Sequence, residues 1–133
     1  CGQLDGLAHR IARRRALFER YAEALGELPG TTFMPEEPDG SSTRWLTCLT
    51  LDPAAAPVDK ETLFRHMEAA NIETRGLWTP LHLQPFYRGC AFHGPGTGEE
   101  LWRTGACLPS SSGLTEADQD RVIRTVRRAF GTG

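Results

Sequence analysis

Residues 44–52 read RWLTCLTLD, with Trp45, Thr47, Leu49 and Leu51 alternating against Leu46, Cys48 and Thr50. A period of two in β-rich composition predicts a strand, and the low polar content on both sides predicts a sheet covered on both faces. Asp52-Pro53 ends it. Upstream, PEEPDGSS (35–42) is a polar turn region, and TTFM (31–34) fits a short edge strand. Downstream of the small-residue loop AAAP (54–57), Asp59 is placed as the N-cap of a helix. Leu63, Phe64, Met67 and Ala70 form its buried stripe, and Asn71 is a left-handed stop. IETRGLW (72–78) then predicts a second short strand and ACLP (106–109) a brief extended stretch.

Helices flank these strands. Over residues 4–28, Leu4, Leu7, Ile11, Phe18, Tyr21, Leu25 and Leu28 recur at spacings of three and four, interrupted where Arg14 occupies the stripe. At 1.5 Å per residue such a helix is about 37 Å long, more than a small domain needs, so 1–28 is expected to connect to further sequence. Arg13, Arg14 and Arg15 are balanced by Asp5, Glu19, Glu23 and Glu27, which predicts a solvated helix face rather than a nucleic-acid patch. GPGTG (94–98) predicts a turn before a short helix, EELWRTG (99–105). Thr115 with Asp118 makes an approximate capping box for a last helix whose apolar side is Val122, Ile123, Val126 and Phe130. Its Arg124, Arg127 and Arg128 sit late, as the helix dipole prefers. The expected fold class is α+β, a small and largely antiparallel sheet packed with helices in a single domain, 1–133. GPGTG follows no strand and lacks the Lys-Ser/Thr of a phosphate cradle.

Composition narrows the function classes. In 133 residues, 39% are hydrophobic and 24% charged, with a net charge of -2. That excludes a disordered tail and gives no cationic field for nucleic acid. No run approaches the roughly 18 apolar residues of a membrane helix, and the first twenty residues are too charged for a secretion signal, so a cytoplasmic protein is expected. A chain that opens on Cys1 in a stretch resembling the inside of a helix is expected to be a fragment. Cys1, Cys48, Cys90 and Cys107 lack the dense spacing of a disulfide framework and are expected reduced, Cys48 and Cys107 as small core residues. Cys90 and His93 form one C-x-x-H pair, with Cys107 and His82 as conceivable further ligands. A structural zinc site normally shows two tight pairs, so none is expected. Lys60 is the single lysine.

Chemistry-bearing residues concentrate in 72–87: Glu73, Arg75, Trp78, His82, Gln84, Phe86 and Tyr87. Flat apolar surface beside convergent hydrogen-bonding groups suits a sugar or a nucleotide base. The same residues fit equally a structural account, with Trp78 and Phe86 anchoring a proline-rich crossing and His82 satisfying buried carbonyls. There is no G-x-S-x-G elbow and no H-E-x-x-H, and Ser110, Ser111 and Ser112 resemble a turn with no adjacent base.

The strings themselves carry a resemblance. IETRGLWTPLHLQPFYRG is similar to the I-E-x-R-x-x-W-K-P-M-H-L-Q-P-x-F segment of the DegT/StrS nucleotide-sugar aminotransferases. GQLDGLAHRIARRRALFERYAEAL resembles their G-Q-L followed by an R-R-x-x-x-x-x-Y helix, STRWLTCLTLDP their S-T-x-W-L strand, and GACLPSSSGLTEADQDRVI their G-L-C-L-P-S-G-S-x-L-T helix start. The resemblance implies the C-terminal small domain of a fold-type I enzyme dependent on pyridoxal 5'-phosphate. The cofactor's lysine, its aspartate partner and a shared dimeric active site would belong to a preceding domain. It implies a homodimer that moves an amino group from an amino acid, typically glutamate, to a nucleotide-linked keto-sugar for polysaccharide or amino-sugar biosynthesis. Trp78, His82, Gln84 and Phe86 would line the sugar-nucleotide side of the cleft, with His82 as the direct hydrogen-bonder, and Arg75, with a carboxylate or the neighbours of Glu73 in the sheet as alternative partners, is expected to be structural. Lys60, between Asp59 and Glu61, is expected to be a surface residue rather than the cofactor's anchor, so the chain alone is expected to be inactive. Thr79 stands where the family usually has lysine, Gly76 replaces a proline and Ser111 replaces a glycine. These departures leave open a non-catalytic sugar-binding or regulatory module on the same fold.

Overall fold

The computed structural model describes residues 2–132. The elements run α1 (Gly2–Asp5), α2 (Leu7–Leu25), β1 (Thr31–Phe33), β2 (Thr47–Leu51), α3 (Lys60–Ala69), β3 (Arg75–Gly76), α4 (Thr97–Thr104), β4 (Gly105–Leu108) and α5 (Glu116–Ala129). The strands form one sheet in the order β1-β2-β4-β3, antiparallel at every pairing. The RWLTCLTLD segment thus supplies a central strand, as its composition requires.

Alternation on β2 separates two faces. Thr47, Leu49 and Leu51 are buried, and Leu49 and Leu51 join Ala106 and Leu108 in one cluster. Tyr21 and Leu25 of α2, Leu63 and Met67 of α3, and Val122, Val126 and Phe130 at α5 pack into it. Leu63 and Met67 have no solvent exposure, and each contributes about 1.5–3 kcal/mol by leaving water. On the opposite face Cys48 and Thr50 are only half-buried, with Leu77 and Leu101 reaching over them, so the second covering is partial.

The capping signals are realised. Asp59 accepts from Thr62 N at 2.8 Å, Thr115 accepts from Asp118 N at 3.1 Å, and Asn71 has φ 52. Gly30, at φ 71, turns the chain after α2 where a Cβ would strike the backbone of Ala55 and Ala56, so only glycine serves there.

Three expectations change. The long helix is interrupted at Gly6 and ends at Leu25. Its stripe holds from Tyr21 onward, whereas Leu4 and Leu7 are exposed and Leu17 is buried instead. The arginine triplet is not a solvated face. Arg13 donates to Leu114 O at 3.3 Å, Arg14 to Trp45 O at 3.1 Å, and Arg15 to both Glu36 carboxylate oxygens at 2.7 and 3.0 Å and to Ser42 O. Loop carbonyls beside α2 need donors, and these long side chains supply them more firmly than same-helix acids could hold them. The strand at 44–52 is shorter than its pattern: Arg44, buried with φ 48, turns the chain before β2. Its guanidinium lies 3.7 Å from the Phe18 ring centroid and donates to Met34 O. No helix among the described residues is long and apolar enough to cross a membrane.

Candidate functional site

Two prolines shape the site. After β3 the chain leaves the sheet at Leu77, and Pro80 and Pro85 preclude a continued strand, so it folds into single 3-10 turns at Leu81–Leu83 and Pro85–Tyr87. The strap is anchored where Leu77 N meets Gly105 O at 3.4 Å. Gly105 permits this crossing, since a Cβ there would collide with the Leu77 side chain and with Leu101 O.

Trp78 projects from the start of the strap, 65% exposed, and stacks on Trp45, itself 61% exposed, with ring centroids 6.0 Å apart and planes 25° from parallel. Beside Trp78 lies an open cleft of about 460 Å³ lined by Leu46, Arg75, Trp78, Cys107, Ser110 and Ser111. Arg75 is held by Glu73, which accepts from Nε at 2.8 Å and Nη2 at 2.6 Å, and both side chains are largely exposed. Its guanidinium borders the cleft while paired within its own strand region. Ser110 is buried, with its hydroxyl accepting from Thr47 N at 2.8 Å and donating to Leu108 O at 2.7 Å. It therefore closes the end of the β2–β4 ladder, with main-chain groups as both of these hydrogen-bond partners.

His82 is partly buried and faces two partners. Nε2 lies 2.8 Å from Glu99 Oε1, and the imidazole stacks on Phe92 at 3.8 Å between centroids. Gln84 Nε2 donates to Thr79 O at 3.1 Å, fixing the strap's curvature. Phe86 is 87% exposed, its only aromatic neighbour among the described residues being Tyr87, edge-on at 5.1 Å. The structure therefore sets Trp78 on the cleft and His82, Gln84 and Phe86 along the strap. Trp45, Phe92 and Glu99 complete the aromatic and polar surroundings and were not singled out by sequence. Trp45 was absorbed into the strand pattern, and Glu99 lies 17 residues from His82, a separation that leaves no local signal.

Lys60 is not a free surface amine. Its Nζ donates to Trp102 O at 2.8 Å, lies 5.7 Å from the Trp102 ring centroid and 3.9 Å from Glu61 Oε1, and the side chain is 12% exposed. It clamps the end of α4 onto the start of α3. Asp59, which would sit beside an incoming anion, already caps α3. An amine so committed, flanked by carboxylates, does not fit the anchor of a pyridoxal phosphate.

Comparison with known proteins gives a consistent picture. The DegT/DnrJ/EryC1/StrS aminotransferase family matches residues 1–127. EpsN of Bacillus subtilis (strain 168) is 45% identical over 134 residues, spanning 98% of this chain and 34% of that protein. The dTDP-4-dehydro-2,3,6-trideoxy-D-glucose 4-aminotransferase of Saccharopolyspora spinosa is 30% identical over 130 residues, 96% of this chain and 31% of that protein. The crystal structure of the aminotransferase TlmJ from Streptoalloteichus hindustanus superposes with a TM-score of 0.84 at 28% identity, over 97% of this chain and 34% of that one. The chain thus spans about a third of the length of the relatives it matches.

Proposed function

The chain belongs to the DegT/DnrJ/EryC1/StrS aminotransferase family, and on that premise we propose that it forms the substrate-shaping small domain of a nucleotide-sugar aminotransferase. The whole protein would use pyridoxal 5'-phosphate to move an amino group from an amino acid, glutamate in the leading case, to a keto-sugar carried on a nucleotide. The cofactor supplies an electron sink when bound. In this reading its lysine is contributed by residues other than these 133, because Lys60 is committed to Trp102, and the chain alone is inactive. The working protein is a cytoplasmic homodimer.

The observation that carries the reading is the exposed Trp45–Trp78 stack on the rim of a cleft that also presents Arg75 and Ser111. Stacked indoles offer the flat apolar surface that a sugar or base covers, and the cation and hydroxyl offer partners to its polar edges. His82, steadied by Glu99 and Phe92, acts as the direct hydrogen-bonder from the strap, with Gln84 and Phe86 completing the wall when substrate is present. The dTDP-sugar relative supports a nucleotide-linked substrate. The test is transfer from glutamate to a nucleotide keto-sugar by the intact protein, followed as 2-oxoglutarate formed. His82→Ala is expected to raise KM for the sugar about tenfold, on hydrogen-bond energies of about 1.5 kcal/mol. An unchanged KM removes His82 from the site. Sugar binding without transfer from any amino acid would favour a binding or regulatory module instead.

A further inference from the structure

Cys48 on β2 and Cys107 on β4 stand directly opposite each other in the antiparallel register, with Sγ atoms 3.7 Å apart. Their position in the ladder matters. The Cys48 carbonyl accepts from Met34 N, on the β1 side, so toward β4 the pair occupies a non-hydrogen-bonded site. At such sites opposed Cα atoms approach to about 4.5 Å, inside the range of about 4.4–6.8 Å that a disulfide spans. Bringing the sulfurs to about 2.05 Å then asks for rotation about the two Cα–Cβ bonds and a small approach of the strands, since opposed Cβ atoms in a ladder stand about 4.5–5.5 Å apart against about 3.5–4.5 Å in a disulfide. Each cysteine borders a surface opening, Cys48 half-buried and Cys107 buried. Cys48 lines the groove beneath Leu77 and Leu101, and Cys107 lines the cleft beside Arg75 and Trp78.

We infer that Cys48 and Cys107 are a redox couple that a small disulfide, such as oxidised glutathione, converts to a reversible intrachain disulfide stapling β2 to β4. A thiolate of the pair attacks one sulfur of the external disulfide, forming a mixed disulfide and expelling one glutathione thiolate. The neighbouring cysteine, after losing its proton to solvent, attacks the protein sulfur of that mixed disulfide and expels the second glutathione. Two protein thiols lose two electrons and two protons, and one external disulfide becomes two thiols. The mutual Sγ–Sγ hydrogen bond helps the first step: it holds the Cys107 thiol below its ordinary pKa and, together with burial, pushes Cys48 up. Because Cys107 is also a wall of the cleft beside Trp78, oxidation would reshape the surface assigned to substrate.

The test treats the intact protein with oxidised glutathione, blocks remaining thiols with iodoacetamide and maps tryptic peptides by mass spectrometry. The expected product joins Trp45–Lys60 to Thr104–Arg121, two hydrogens lighter than the separate peptides, and disappears on treatment with dithiothreitol. Exposed Cys90, in Gly89–Arg103, serves as the internal control and carries glutathione instead. The linked fraction in native protein should exceed that in guanidinium chloride by about tenfold or more, because the fold supplies the proximity. Glutathione on Cys90 with Cys48 and Cys107 both alkylated or separately glutathionylated would overturn the inference. Equal cross-linking in native and denatured protein would do the same.

Discussion

Gly105→Ala should destabilise the chain even though nothing about its backbone conformation demands glycine. Its φ of -91 and ψ of 144 lie in the region open to any residue. On backbone grounds alone the substitution would stabilise by about 0.4–1 kcal/mol, through a less flexible unfolded state. Sterics decide the sign. An added Cβ would sit 2.5 Å from Leu101 O and 2.7 Å from Leu77 Cγ, closer still to Leu77 Cδ1. Leu101 O cannot retreat freely, since it accepts the Gly105 N–H that closes α4. Overpacking of this kind costs about 1–3 kcal/mol, which leaves a net loss of up to about 2.6 kcal/mol, about 1.3 kcal/mol at mid-range. With a urea slope of about 2 kcal/mol/M the unfolding midpoint should fall by up to about 1.3 M, about 0.65 M at mid-range. Leu77 must yield, and Trp78 follows it, so the near-ultraviolet dichroism of the Trp45–Trp78 pair should weaken in the folded baseline. A midpoint unchanged or raised, with that dichroism intact, would refute the claim that this glycine sets the strap's approach to the sheet.

Three further outcomes follow from individual side chains. Ser110→Ala removes the acceptor for the buried Thr47 N–H and should cost about 1–3 kcal/mol in urea unfolding, against a few tenths for the exposed Ser111→Ala. Glu36 is held down to about 2, first by the Arg15 hydrogen bond and then by Ser42 N, below an ordinary value of 4.5. The unfolded chain therefore binds the proton more readily between these values, so stability should climb as pH rises from about 2 to 4.5 and then level off. Glu36→Gln should flatten that rise in a midpoint-against-pH series. Burial pushes Tyr21 above its ordinary 10, and its hydroxyl donates to Pro109 O at 3.1 Å. The folded state keeps this proton longer, so its stabilisation is complete below pH 10 and lost as pH rises beyond it. Tyr21→Phe should lower stability near neutrality by about 0.5–1.5 kcal/mol while reducing the alkaline decline.

Legibility from sequence tracked the range of the interactions. Local chemistry was readable: Asp59 and Thr115 as caps, Asn71 as a left-handed stop, and the period-two run around Leu49 each depend on residues within a few positions. The four motifs in order likewise pointed to the family that the comparison establishes. What stayed hidden depends on distant partners. Arg13, Arg14 and Arg15 look solvated until Leu114, Trp45 and Glu36 are brought to them, and Lys60 looks free until Trp102 O arrives from 42 residues away. In the candidate site Trp78 and His82 were visible as a dense strap of unusual side chains. The Trp45 stack, the Glu99 partner and the Cys48–Cys107 contact come from register and crossing geometry that periodicity does not encode.

The division of labour proposed for this chain is tested most directly by borohydride trapping of pyridoxal phosphate. Pyridoxal phosphate is added to the 133-residue chain and to the intact protein, each is reduced, and the modified lysine is located by peptide mapping. The account predicts no stoichiometric label on Lys60 in either sample, and in the intact protein a stoichiometric label on a lysine outside these residues. One equivalent of reduced cofactor on Lys60, with the characteristic absorbance band formed by the chain alone, would contradict it.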